Sequence, residues 1–120
     1  MNNLQTTYSA VFGAIVASKR KIQEKEQSEI ANVLGISQAS YSRLESGKSS
    51  MSTDQIFLVS QALEETVSNL MIETESYIKR LKDKGYNVTP QLRGVDNSGA
   101  GKVVAGAALG ALLISLLSNR

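Results

Sequence analysis

The chain has no cysteine and no histidine. Without thiols there is neither a disulfide framework nor a thiolate nucleophile. Without imidazoles as well, the usual zinc ligands and the commonest general base are missing together. Neither sign of charge is in excess: 13 Lys and Arg stand against 11 Asp and Glu, a formal net charge of +2. That balance by itself predicts no partner, and most charged residues read as a solvated face. Asp and Glu are scattered over helix faces and the serines have no base beside them, so the sequence shows no enzyme, metal or cofactor site. Gly99-x-Gly101-Lys102 is only a fragment of a phosphate-loop pattern, without the preceding strand or the full spacing. The opening MNNLQTTYSA has no basic segment ahead of an apolar run, which is not a signal-peptide pattern. A cytoplasmic location is the expectation. A length of 120 residues suits one small domain with appendages.

What is present is helical periodicity. Tyr8, Val11, Phe12, Ile15, Val16 and Ile22 recur at spacings of three and four and predict a helix over about residues 7–22. Lys19, Arg20 and Lys21 fall at its C-terminal end, where cations suit the macrodipole. Residues 27–48, QSEIANVLGISQASYSRLESGK, read as two short helices and a tight turn. Ile30, Ala31, Val33 and Leu34 give the first an apolar side. Gly35 stands where a positive φ stops a helix, Ser37 can cap the next one, and Gly47 closes it. Helices this short are marginal alone, below roughly 12–15 residues, so they must pack on neighbours. Ala31 is small where they would cross, and Gly35 permits the steep turn. After a polar bridge at 49–54, Ile56, Phe57, Val59 and Leu63 predict a helix over 54–63.

The set formed by Gln27, Ile30-Ala31, Gly35-Ile36-Ser37 and Leu44-Glu45-Ser46-Gly47-Lys48 resembles the lambda-repressor/Cro-like (XRE) family over about residues 9–71, its end resembling the family's L-E-x-G-K. The resemblance implies an all-α fold: a five-helix lambda-repressor-like DNA-binding domain, here with an extended fifth helix and a separate hydrophobic C-terminal helix. It also implies that Arg20 pairs with Glu45 and staples the first helix to the end of the third. Two departures stand out. Glu24 and Lys25 occupy a connection where the family commonly has glycine and then an apolar residue, and Tyr41 stands where an aliphatic residue is usual.

Beyond the motif, Val67, Leu70, Met71, Thr74, Tyr77, Ile78 and Leu81 continue one stripe to Lys84. Such a face either returns over the domain or pairs with a copy of itself; self-pairing is the expectation, through Val67, Leu70, Met71, Tyr77, Ile78 and Leu81. Tyr86 to Thr89 could be one extended segment, with no second strand visible to pair it, and residues 1–7 read as a frayed polar start. The chain thus divides into a helix-turn-helix domain (1–72), a dimerising helical extension (73–84), a flexible linker (85–102) and a hydrophobic small-residue helix (103–118). The uncharged run 103–117 is shorter than the roughly 20 residues a membrane span needs. It reads as a short membrane anchor, as an oligomerisation helix packed at Gly106 and Gly110, or as a core helix covering the domain.

DNA is the partner this pattern suits. The major groove admits one α-helix, and the N-terminal residues of the second motif helix approach base edges. Gln38, Ala39, Ser42 and Arg43 are the expected base contacts: Gln38 for adenine, Ala39 for a thymine methyl, Arg43 for guanine or else a phosphate. Gln27, Ser37, Ser40 and Lys48 are the expected phosphate contacts, Gln27 because it resembles the family position that meets the backbone. Few cations stand near the reading helix, so one copy should bind weakly and a homodimer or higher homo-oligomer on two half-sites is expected. The reading is a sequence-specific regulator, a repressor, with membrane association or oligomerisation through its tail. Two others stand beside it: an interaction or structural protein that uses the scaffold for protein contacts, and the antitoxin of a toxin–antitoxin pair.

Overall fold

The computed structural model describes residues 4–92 together with residues 102, 103, 109, 110, 112 and 113. Five helices carry the fold: α1 Tyr8–Ile22, α2 Gln27–Leu34, α3 Gln38–Ser46, α4 Thr53–Ala62 and α5 Val67–Asp83. Three short strands flank them: β1 Leu4–Thr7, β2 Asn87–Thr89 and β3 Lys102–Val103.

Helix α1 is the centre. Ala10, Val11, Phe12, Ala14, Ile15 and Val16 are all buried, a run that covers every side of the helix rather than one stripe. Both flanks are used, since α1 packs on α3 and on α5. Gly13 explains how α3 comes so close. A Cβ there would lie 2.0 Å from the carbonyl oxygen of Glu45, so only glycine lets the two backbones touch.

The helices stop by one device used four times. At Gly35 and Gly85 the chain turns left-handed, with φ of 70° and 92°. The next N–H reaches back to the helix, Ile36 to the Ala31 carbonyl at 3.1 Å and Tyr86 to that of Leu81 at 3.0 Å. This is a Schellman ending, where glycine is the usual residue. The ends of α1 and α4 are built alike, but Glu24 and Glu64 hold the left-handed position, at φ of 56° and 55°. Lys25 N–H meets the Arg20 carbonyl at 3.0 Å, and Glu65 N–H meets that of Ser60 at 2.9 Å. The departure seen at Glu24 therefore leaves the turn itself unchanged. Two side chains from this turn then finish α4: Lys25 Nζ donates to the Ala62 carbonyl at 2.6 Å and Gln23 Nε2 to that of Leu63 at 2.8 Å.

The structure differs from the sequence reading at both ends. Leu4–Thr7 is a strand, not a frayed start, and it supplies the partner that Asn87–Thr89 lacked. The two run parallel, Gln5 opposite Asn87 and Thr7 opposite Thr89, and β3 pairs with the other edge of β1, Leu4 opposite Lys102. The order is β2-β1-β3. Thr6 and Val88 are buried beneath it. Thr7 ends the strand and caps α1, its Oγ1 accepting from Ala10 N–H at 3.1 Å.

The stripe on α5 is turned inward. Leu70, Tyr77, Ile78 and Leu81 are buried within the chain, and Met71 packs against the same core while half-exposed. Each large apolar side chain so buried contributes about 1.5–3 kcal/mol, which is why this face closes on its own domain. The expectation of self-pairing through these residues gives way to the other reading of the stripe, its return over the domain. Of the tail, Leu109 and Leu113 are buried in the core cluster, and the Tyr77 hydroxyl donates to the Leu109 carbonyl. Gly106 lies outside the described residues. Among the described residues a Cβ added at Gly110 would meet nothing within 4 Å. Among the described residues no helix is long and apolar enough to cross a membrane.

Candidate nucleic-acid interface

Gly35 and Gly13 are glycines for opposite reasons. A Cβ at Gly35 would meet nothing within 4 Å, so only its φ requires it; at Gly13 the backbone is ordinary and the space is missing. Past Gly35 and Ile36, Ser37 caps α3: its Oγ accepts from Ser40 N–H at 3.1 Å. The capping fixes where the first turn of α3 begins, and so which side chains lead.

On α3, Tyr41, Leu44 and Glu45 face inward. At about 100° per residue, Gln38, Ala39, Ser42 and Arg43 share one outward arc of roughly 140°. Gln38, Ala39 and Arg43 are exposed and Ser42 is half-buried. The four expected base contacts therefore lie on one face. Arg43 is folded back, with Nη2 3.3 Å from Ser40 Oγ, so it must swing out to reach a base. Ser40 Oγ also accepts from Ser37 Oγ at 3.0 Å. With two donors already on its oxygen, the Ser40 hydroxyl hydrogen is the one left to give to a phosphate, whereas that of Ser37 is already engaged.

Behind this face lies a buried ion pair. Arg20 Nε donates to Glu45 Oε2 at 2.9 Å and Nη2 to Oε1 at 2.8 Å. Arg20 Nη1 takes the Lys25 carbonyl at 2.9 Å. Gln27 Nε2 adds a bond to Glu45 Oε1 at 3.0 Å, so its side-chain amide serves the scaffold, and a phosphate would share it. One carboxylate thereby ties together α1, α2 and α3. Burial pushes the Glu45 carboxyl up, but the hydrogen bonds from Arg20 and Gln27 outweigh it and hold the group below the usual range. The Tyr41 hydroxyl is fully buried against this pair with no aligned hydrogen bond, and desolvation drives its pKa far above the ordinary tyrosine value.

Lys48 is exposed just beyond α3. Gly47, which ends α3 at φ 84°, is pressed on α1: a Cβ there would stand 2.4 Å from Ala10 Cα. The next segment is fastened from outside the motif, by a bond between Ser9 Oγ and Ser50 Oγ at 2.8 Å and one from Gln91 Nε2 to the Lys48 carbonyl at 3.2 Å. Sequence reasoning missed Gly13, the Gln27–Glu45 bond and Gln91. A glycine inside an otherwise strong helix was the available signal for the first; the other two depend on tertiary geometry and left none. Among the described residues no group of three or more acidic side chains is placed to hold a metal ion.

A helix-turn-helix family profile matches residues 16–70. Two solved structures resemble the chain, both of the clp gene regulator ClgR from Corynebacterium glutamicum. One is 26% identical with a TM-score of 0.54, covering 57% of this chain and 90% of ClgR. The other is 23% identical with a TM-score of 0.62, covering 65% and 83%. No curated protein matches. The profile spans α2, the turn and α3, with the Arg20–Glu45 staple behind them, so residues 16–70 are similar to the helix-turn-helix family that it describes.

Proposed function

We propose that the chain is a sequence-specific DNA-binding transcription regulator that acts as a repressor. One observation carries the reading: the outward arc of α3 presents Gln38, Ala39, Ser42 and Arg43 on a helix whose inner face is locked in place by a buried ion pair. A reading helix needs that combination of free polar groups and a rigid mount. Ser40, Lys48 and the N-terminal turn of α2 at Gln27 would take phosphates, where helix N–H groups already favour anions. The likeness to ClgR, itself a gene regulator, supports the same role.

Selection of duplexes from a random-sequence pool on the intact protein tests it. The chosen duplex should bind with a steep loss of affinity as salt rises. Replacing Gln38 and Arg43 together by alanine should remove the preference, since each bidentate contact is worth about 1–3 kcal/mol of discrimination, and should leave the helical circular dichroism unchanged. A variant that still prefers the selected duplex over random ones, with wild-type affinity for it, would refute the groove assignment.

A second copy would meet the outer side of the α1–α5 layer. Ile72 is 62% exposed and Ile22 78% exposed there, flanking a cleft of about 250 Å³ walled also by Ile15, Tyr77 and Leu113. Light scattering of the Ile72→Glu variant checks this, a fall in mass to one chain being the expected result. Any membrane association of the tail has to compete with the seat of Leu109 and Leu113 in the core; vesicle flotation should therefore rise when Tyr77→Phe removes the bond to the Leu109 carbonyl.

A further inference from the structure

The loop between α3 and α4 is held by side chains that the helix-turn-helix pattern does not contain. Gln91 Nε2 donates to the Lys48 carbonyl at 3.2 Å. Its Oε1 accepts a longer contact, 3.4 Å, from Thr7 Oγ1. Thr7 is itself fixed twice, as the cap of α1 and as the partner of Thr89 across the sheet. Thr7, Ser9 and Gln91 all lie outside residues 16–70, the span of the family profile. A small parallel sheet, made from the two ends of the domain, thus reaches over to the segment that follows the reading helix.

We propose that Gln91 is a positioning residue for DNA contact: from outside the motif, it holds the backbone at Lys48 so that the lysine meets the phosphate chain. The inference rests on the reading of Lys48 as a phosphate contact. A lysine side chain is a mobile point charge that loses much rotamer freedom on binding. A fixed Cα lowers the ordering cost that binding must meet. On one side the Lys48 segment is already fixed, because Gly47 is jammed against Ala10. Gln91 supplies the hold at the very next carbonyl, and the Ser9–Ser50 bond does so two residues on. Gln91 carries no charge, so its removal alters no electrostatic attraction directly.

The test is a double-mutant cycle on the full chain, with the duplex selected on the wild-type protein as probe and the salt dependence of affinity as readout. Lys48→Ala should weaken binding and flatten the slope of log K against log salt by about 0.9, one phosphate contact. Gln91→Ala should weaken binding about threefold to tenfold, the size of one net hydrogen bond, and leave the melting temperature in place. In the Lys48→Ala background, Gln91→Ala should have no further effect on affinity, a dependence that a merely structural role would not produce. If wild-type protein enriches no duplex, the DNA reading itself fails. If Lys48→Ala binds like wild type, the phosphate assignment fails and the proposal with it. If Lys48→Ala is weak while Gln91→Ala is silent, or costs the same in both backgrounds, the phosphate assignment stands and the positioning role is overturned.

Discussion

Replacing Glu45 by glutamine should destabilise the domain far more than the loss of one surface charge. The change keeps the shape but turns one acceptor oxygen into N–H₂, which faces either Arg20 Nε, the donor 2.9 Å from Glu45 Oε2, or both Arg20 Nη2 and Gln27 Nε2, the donors 2.8 and 3.0 Å from Oε1. Arg20 is then a buried cation without its counter-charge, at 8% exposure. Breaking a buried pair from one side costs about 3–5 kcal/mol, whereas replacing both partners with apolar groups of similar volume is often neutral. Urea unfolding followed by helical circular dichroism should show the larger loss for Glu45→Gln and a much smaller one for Arg20→Met with Glu45→Leu. The pH dependence provides a second check. The Glu45 carboxyl is held below its ordinary range in the folded chain, so its contribution is fully present above the unfolded value, about 4.3. It is lost as pH falls through the folded value. The stability gap between wild type and Glu45→Gln should therefore be widest near neutrality and close in acid. A gap under about 1 kcal/mol at neutral pH, the size of an exposed pair, or one that widens in acid, would refute the staple.

Four further substitutions probe the scaffold. Gly13→Ala puts a methyl 2.0 Å from the Glu45 carbonyl oxygen and should cost about 1–3 kcal/mol or more as α1 and α3 are pushed apart, with specific DNA binding lost in gel shifts of whatever remains folded. Glu24→Gly and Glu64→Gly should each stabilise by up to about 1 kcal/mol in thermal melts. Each relieves left-handed strain of roughly 1–2 kcal/mol and lifts a carboxylate off a negative helix end, against the entropy that glycine gives back; a lower melting temperature for both would contradict the assignment. Tyr41→Phe should leave stability unchanged or raise it slightly, as measured by the urea midpoint, because the hydroxyl it removes is buried without an aligned hydrogen bond.

The parts of this architecture that are local in sequence were readable from it. Helix periodicity placed all five helices to within a residue or two, and the φ requirement at Gly35 and Gly47 placed the ends of α2 and α3. Pairings that depend on chain ends meeting were not readable. Tyr86 to Thr89 reads as an extended segment without a partner, while Leu4–Thr7 is too short and too polar to announce a strand; the two pair only because α5 returns the chain to the start of α1. The α5 stripe was legible as a stripe, but a pattern of apolar residues does not say whose core it fills. The tail shows the same ambiguity: Leu109 and Leu113 are as apolar as a membrane segment requires, and the structure seats them on Tyr77.

These non-local contacts also explain how so small a domain keeps a reading helix rigid. A nine-residue α3 cannot hold its own shape, so its rigidity must come from α1. The support acts at three levels along the shared interface: Ala10 against Gly47, Gly13 against the Glu45 carbonyl, and Arg20 onto the Glu45 carboxylate. Spacings of three and seven residues keep these positions on one side of α1, leaving Ile15, Ser18, Lys19 and Ile22 on the other for the cleft beside α5. The consequence is a division of labour across a single helix. Substitutions along the Ala10–Gly13–Arg20 side should change DNA recognition through α3, while those along the Ile15–Ile22 side should change stability, association or the seat of the tail and leave base preference intact.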